Sequence, residues 1–385
     1  MLGDRIRERS TTTTVSHIEP TVPNTAIDPV SPVRIQVSPN ASTPQPTPSE
    51  PASVEIVAAM TDPNYAGPLN PTDDDEPVAE VSLGRRVASI IAVVAPPAAL
   101  IAAIVLLWGV AFNWVHLWLL LVGYVLTGLG ITVGYHRLFT HRSFDARTPV
   151  KVALGILGSM AVEGPILGWV ATHRMHHQHS DRHADPHSPH VRADEEGNVI
   201  AARGFWGRVR GFLHAHIGWF FTPDPPKEVM DRYVPDLQAD ATTVFLSRMF
   251  FPWVILGILI PGAIAFAVTG SWVQGLLGIL WGGGARIFLV HHITWSVNSI
   301  CHIWGSRPFK SHDHSRNNPV FGILAFGEGW HNAHHAFPAS ARHGLRWWEI
   351  DTAYITIRTL KALGLVREVK LPSPERIAAK RRNAA

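Results

Sequence analysis

Histidine recurs in this chain at spacings that bind metal. It stands at the first, fourth and fifth positions of "HRMHH" (His173, His176, His177) and of "HNAHH" (His331, His334, His335), and "HRLFTH" adds His136 and His141. On a helix of 3.6 residues per turn, positions i and i+4 lie about 40° apart, while i+3 falls about 60° to the other side. His173 and His177 therefore converge on one ion and His176 leans toward a neighbour. His331 and His335 pair in the same way, with His334 sent across. A single ion needs one i, i+4 pair and a third ligand, so two such helices facing each other imply a dinuclear site.

Imidazole suits zinc, iron, copper and nickel alike. A structural zinc is closed by four ligands, often cysteines, and the one cysteine here, Cys301, allows neither a thiolate cluster nor an internal disulfide. Redox chemistry is the better match. Iron with dioxygen can attack an unactivated C–H bond, and a site at the bilayer surface suits an apolar substrate.

The elements that must position these histidines are membrane helices. Apolar residues concentrate in four runs of roughly the 20 residues a bilayer core requires, at 87–112, 115–135, 250–269 and 272–297. The links "NW" and "GS" are uncharged, whereas Arg85, Arg86, the arginines between the second and third runs, and "AAKRRNAA" are basic. The positive-inside rule then puts both termini and every histidine motif in the cytoplasm. The expected fold is all-α and integral to the membrane, with four transmembrane helices and a cytosolic helical cap. The formal charge of +3 comes with no basic patch interleaved with aromatics, so no nucleic-acid partner is expected.

Two weaker apolar stretches, "VKVALGILGSMAVEGPILGW" and "FWGRVRGFLHAHIGWFF", read as helices lying at the membrane surface. Residues 1–80, rich in Pro, Thr and Ser, read as a disordered cytosolic tail. Residues 81–371 form the membrane domain and 372–385 a basic tail. His291 and His292 face the interior, while His179, His190, His214, His216, His312, His314 and His343 read as solvated or interfacial.

"HRLFTH", "HRMHHQHSDRHADPHSP", "TWSVNSICHIWGSRPF" and "GEGWHNAHH" together resemble the integral-membrane fatty acyl desaturases, particularly the delta-9 acyl-CoA branch. The resemblance covers roughly residues 85–371. It implies one iron held by His136, His141, His173, His177 and His334, and a second held by His176, His302, His331 and His335, with a water held by Asn298. It also implies a bent acyl tunnel near Trp169, Thr294 and Trp295. Asp185 either orients a ligand imidazole or stabilises the turn before Pro186, and Glu328 either orients His331 or caps a helix. One departure concerns the substrate: where animal acyl-CoA desaturases carry an Arg-Asp pair that holds the CoA headgroup, this chain has Ala171 and Thr172. Arg203, Arg208 and Arg210 could bind phosphates instead, or the acyl chain is esterified to a membrane lipid.

The implied activity is an oxygen-dependent dehydrogenation that places a cis double bond in a saturated acyl chain, using two Fe2+ ions and dioxygen. There is no haem-attachment motif, dinucleotide loop or cysteine cluster. Electrons are therefore expected from a separate ferredoxin, cytochrome or flavin reductase. A di-iron membrane hydroxylase is the nearest alternative and a metal transporter a distant one, since a transporter path would place more polar residues within the spans.

Overall fold

The computed structural model describes residues 81–109, 113–193, 199–223 and 225–382. The expected tail over residues 1–80 lies outside them. Four helical segments are long and apolar enough to cross a bilayer: Leu83–Leu106, Trp114–Thr140, Phe250–Thr269 and Trp272–Ile303. The second and fourth run five and six residues further at their C-terminal ends than hydropathy alone predicted. Those extra turns carry His136 and His302.

The first span lies in α1 (Leu83–Gly109), which accommodates Pro96 and Pro97 and turns Ile90, Val94, Ile101 and Val105 outward. Exposed apolar side chains on such a helix are the expected surface toward lipid. The second span begins as α2 (Trp114–Leu129), whose first turn is capped by the Asn113 side chain accepting from the Val115 amide at 2.8 Å. It then continues as a π-helix over Gly130–Thr140. The third span is α6 (Phe250–Thr269). It stops at Gly270 (φ 67°), a left-handed position that glycine adopts at little cost. The fourth joins α7 (Trp272–Gly278), a π segment (Ile279–Ala285) and α8 (Arg286–Ile303).

Neither weaker apolar stretch forms a span. The first divides into α3 (Thr148–Ser159) and α4 (Ile166–His179), separated by a turn with positive φ at Val162 (66°) and Gly164 (113°). The π-helix packs against α3 backbone to backbone, so a Cβ on Gly130 would stand 2.3 Å from the Gly158 amide nitrogen. The second stretch supplies α5 (Gly204–His216), which leaves Phe205 and Trp206 exposed beside Arg203, Arg208 and Arg210. The cap adds α9 (His331–Ala336), α10 (Thr352–Ala362) and α11 (Pro374–Lys380). Strand content is small: Asp145–Ala146 pairs antiparallel with Val366–Arg367, and Val191–Ala193 with Val199–Ala201.

Residues 372–382 pack against the cap. Ile377 packs on Phe309, Ala333, Ala336 and Phe337, and Lys380 donates to the Ala336 carbonyl at 2.8 Å. The contact matters because Ala336 ends the helix that carries the "HNAHH" histidines.

Two buried arginines tie the elements together. Arg286, inside the fourth span, donates to the carbonyls of Gly282, Met160 and Gly257 and to Thr127 Oγ1, joining its own helix to α2, α6 and the end of α3. Arg174 on α4 grips Asp236 in a two-pronged pair (2.7 and 3.0 Å) and donates to the carbonyls of Phe139, Thr140 and Tyr233. It thereby fixes the end of the π-helix beside α4. Removing one partner of such a pair strands the other charge in the interior, at a cost of about 3–5 kcal/mol. Arg174→Met is therefore expected to unfold by roughly that much more readily in detergent, measured by thermal or denaturant melting. A stability equal to that of the parent chain would show that the pair does not anchor α4.

Candidate metal centre

The "HRMHH" motif lies on α4 and the "HNAHH" motif on α9, so each is helical as its spacing requires. His136 comes from the π-helix, His141 from the residue that follows it and His302 from the last turns of α8. The fold brings these histidines into two groups. Ring nitrogens of His136, His141, His173, His177 and His334 lie within 4.8 Å of one another, as do those of His176, His302, His331 and His335. All are buried except the half-buried His173.

The H-x4-H pair depends on the π turn. On an α-helix, residues five apart point about 140° away from each other. Here the His141 amide donates to the His136 carbonyl at 3.1 Å, an i to i+5 bond, and the two rings meet edge to face at 4.8 Å. π turns of this kind are frequent at functional sites.

Within each group, nitrogens face nitrogens. Nε2 of His334 is 3.0 Å from Nε2 of His136 and 2.9 Å from Nε2 of His177, and Nε2 of His302 is 3.0 Å from Nε2 of His331. Nε2 of His141, His176 and His335 is buried with no hydrogen-bond partner. The opposite edge of four rings is engaged by carboxylates. Nδ1 of His136 lies 2.6 Å from Glu328, of His176 2.9 Å from Asp185, of His302 2.8 Å from Asp181, and of His335 2.5 Å from Asp313. An Nδ1–H donated to a carboxylate leaves the Nε2 lone pair directed into the cluster, the tautomer a metal ligand needs.

Electrostatics favour the same protonation state. Burial lowers the proton affinity of His141, His173, His177, His331 and His334 well below the usual imidazole range, and neighbouring imidazoles lower it further. Burial takes His335 to about 4 despite Asp313. These rings are neutral at pH 7. Burial pushes the four carboxyls up, yet the imidazoles they face more than reverse this and keep Asp181, Asp185, Asp313 and Glu328 ionised. Inward lone pairs crowded at about 3 Å repel unless a cation lies between them, so the donor set fits two metal ions with nitrogen ligands.

Sequence reasoning named Asp185 and Glu328 but missed Asp181 and Asp313, and Glu328 faces His136, not the His331 expected for it. Both sit inside quoted motifs or beside them, in "HSDRH" and "SHDHS", but an aspartate in a polar loop gives no sign that it faces a histidine more than twenty residues away. His343 requires correction. Expected at a wet surface, it is fully buried, 3.3 Å from Glu328 and 3.1 Å from Arg137, with its ring 4.4 Å from that of His334. His216, grouped with it, is half-buried. Its Nε2 lies 3.0 Å from His292 Nδ1, and its ring 6.0 Å from that of Trp295.

Of the residues expected to line a tunnel, Trp169 adjoins the first group. Trp169 stacks on His173 at 5.0 Å and 15°, and its indole N–H donates to Glu163 at 3.1 Å. Thr294 hydrogen-bonds the same carboxyl, while the other Glu163 oxygen is buried and unpartnered. Burial raises this carboxyl to about 7 against those two hydrogen bonds. Trp295 is buried beside His291 and Phe220. Asn298 is half-buried one turn before His302 on α8. Ala171 is buried and Thr172 half-buried, so no charged pair precedes the α4 motif.

Comparison with known proteins decides among the chemistries open to such a centre. Residues 112–365 match the family model described as fatty acid desaturase. This chain belongs to the fatty acid desaturase family. It is 42% identical to a hex-5-enoyl-[acyl-carrier protein] acetylenase of Moorena producens over 75% of this chain and 87% of that one. It is 39% identical to an sn-1 stearoyl-lipid 9-desaturase of Anabaena variabilis over 68% and 86%, and 39% identical to delta-9 acyl-lipid desaturase 1 of Arabidopsis thaliana over 68% and 77%. The desaturase is thus an oxidoreductase of lipid metabolism whose four apolar helices make it a membrane protein.

Orienting carboxylates on metal-bound histidines are typically worth 10- to 100-fold in metal affinity. Asp313→Asn and Asp181→Asn are each expected to weaken metal retention by about that factor, read as metal stoichiometry after challenge with a graded chelator. Retention equal to that of the parent desaturase would reduce both aspartates to packing.

Proposed function

We propose that this desaturase introduces a cis double bond, at carbon 9, into a saturated acyl chain carried on a membrane lipid, using two iron ions and dioxygen. The observation that carries the reading is the pair of buried groups of five and four inward-facing imidazoles, with His136 and His302 near the ends of the second and fourth spans. His136, His141, His173, His177 and His334 would hold one iron, and His176, His302, His331 and His335 the other, with Asn298 steadying a water. When bound, the iron pair supplies the oxidising power for hydrogen removal from two adjacent methylenes.

The chain's own residues hold and enclose the substrate. Trp169 lies beside the first group and Glu163 links it to Thr294, with Trp295 the next residue on α8; an acyl tail entering between the spans would pass its middle carbons there. Glu163, kept uncharged by burial near neutral pH, lets the wall remain apolar while tying Trp169 to Thr294. The absence of a charged pair at Ala171 and Thr172 supports a lipid-linked chain over the acyl-CoA first expected, and the names of the Anabaena and Arabidopsis relatives point the same way. The histidine groups and both termini would face the cytoplasm, in keeping with the basic loops.

The test is expression in a host without its own desaturase, with fatty acids separated by lipid class before mass spectrometry. A new cis-9 monounsaturated acid first appearing in intact membrane lipids, and absent for His302→Ala, is the expected result. First appearance in acyl-CoA would transfer the reading to that carrier, and hydroxylated product would move it to hydroxylation. Glu163→Gln should preserve both hydrogen-bonding neighbours without an ionisable group. Activity of the parent enzyme is then expected to fall above about pH 7 relative to the variant, and parallel pH profiles would refute a Glu163 carboxyl that ionises near pH 7.

A further inference from the structure

Resting on the desaturase reading, we propose that Arg307, Arg316 and Arg382 form the docking surface for an acidic one-electron carrier protein, whose electrons enter at the second histidine group through loop 311–316. The three guanidiniums gather where α8 ends and the last residues of the chain return to the cap. Arg307 donates to Ser311 Oγ and to the Asp313 carbonyl, Arg316 to the Gly305 carbonyl at 3.1 Å and Arg382 to the Phe309 carbonyl at 3.2 Å. None of the three forms an ion pair among the described residues, and Nε of both Arg307 and Arg316 is buried without a partner. Besides burial, the charges of Arg382 and Arg316 lower the proton affinity of Arg307, so the three lie within electrostatic range of one another. Exposed Lys310, Arg381 and Arg182 extend the positive field.

The carboxylates beneath this surface are already engaged. Asp313 faces His335 and Asp181 faces His302, so their charge is committed to the interior. The same two residues connect surface to centre. The amide of exposed His314 donates to Asp181 Oδ2 at 2.7 Å, and that oxygen lies 2.8 Å from His302 Nδ1. Asp313 belongs to the loop itself and touches His335 directly. Each path from the surface to a ligand imidazole thus crosses one carboxylate. No comparable route from the patch leads to the first group.

An acidic protein fits better than a lipid. On α5, the arginines stand beside exposed Phe205 and Trp206, the pairing suited to a membrane interface. Residues 305–318 and 372–382, which carry the proposed patch, expose no large apolar side chain. Complementary charge without apolar contact steers encounter and gives a transient, salt-sensitive complex, as a donor that must dock twice per turnover requires. The balance is R–CH2–CH2–R′ + O2 + 2 e− + 2 H+ → R–CH=CH–R′ + 2 H2O. Two C–H bonds break and one C=C bond forms. Dioxygen takes four electrons, two from the substrate and one from each of two docking events.

The test uses the full-length metal-loaded desaturase in neutral-lipid nanodiscs and a purified acidic [2Fe–2S] ferredoxin as probe. Binding to the parent protein should weaken as salt rises. Arg316→Gln/Arg382→Gln should weaken it about tenfold or more at low salt and Arg316→Glu/Arg382→Glu should abolish it, with metal content and dithionite-driven turnover unchanged. Ferredoxin bound equally by parent and variants, or by neither, would overturn the proposal, as would variants that lose only co-purified anionic lipid. Absence of dithionite-driven product from the parent protein would instead sink the desaturase reading, so the two failures are distinguishable.

Discussion

Neutral imidazole lone pairs must be held face to face, at about 3 Å, in a buried space. No arrangement of these rings satisfies itself, because a hydrogen bond between two of them uses a lone pair that the centre needs. Each ring therefore has to be fixed from its far side, and at His136, His176, His302 and His335 a carboxylate does so. Buried carboxylates need partners of their own. Glu328 rests on Arg137, which also pairs with Asp351, and Asp351 in turn accepts from the amides of His343 and Tyr354 at the head of α10. Asp185 accepts from the amides of Asp181 and His187, and Asp313 from Ser311 and Ser315. The cap is organised as successive layers of this charge compensation, and that is why so many polar side chains in it are buried.

The spans meet a second demand, that histidines from distant parts of the chain arrive at one depth. Helix length sets that depth, but rotation about the axis decides which way a ring points. The π stretch over Gly130–Thr140 supplies the rotation for His136 and His141. It is stabilised from outside: Arg174 takes up the carbonyls of Phe139 and Thr140, and the glycine contact with α3 brings the two backbones together. An irregular segment that neighbours must hold in place is less stable than a plain α-helix, and placing both histidines on one side of the strand of chain is what it achieves.

What could be read from the sequence follows from which interactions are local. The H-x-x-H-H groups are legible because a helix of known pitch fixes i, i+3 and i+4, and the structure sends His176 and His334 across as that pitch requires. The spans are legible because lipid imposes length and composition. The π turn is not, since nothing in its residues distinguishes a π from an α pitch and the stabilising Arg174 is some 35 residues further on. His343 fails for a related reason: a histidine between arginines and glycine in "ARHGLR" looks solvent-exposed, and only the return of the chain to Glu328 buries it. Asp181 and Asp313 lie within reach of their histidines only after α8 and the loop following it are in place. Local periodicity was therefore enough for the two H-x-x-H-H groups, while His136, His141 and His302 came through the resemblance and the groups that orient the rings were not legible.

The two histidine groups are unequal, and their surroundings differ in kind. The first has five imidazoles, borders Trp169 and through it Glu163 and Thr294, and is backed by the buried Glu328–Arg137–Asp351 chain. Its environment faces the spans, where the proposed function would have an acyl chain travel. The second has four imidazoles, and two of its orienting carboxylates belong to or touch the loop that follows α8, one step from the arginine surface. The C-terminal residues close against this same side, with Lys380 holding the end of α9. On the proposed function, such a division would place hydrocarbon on one side of the metals and electron supply on the other. Substrate entry then need not disturb the polar route, and a docked protein need not open the apolar one.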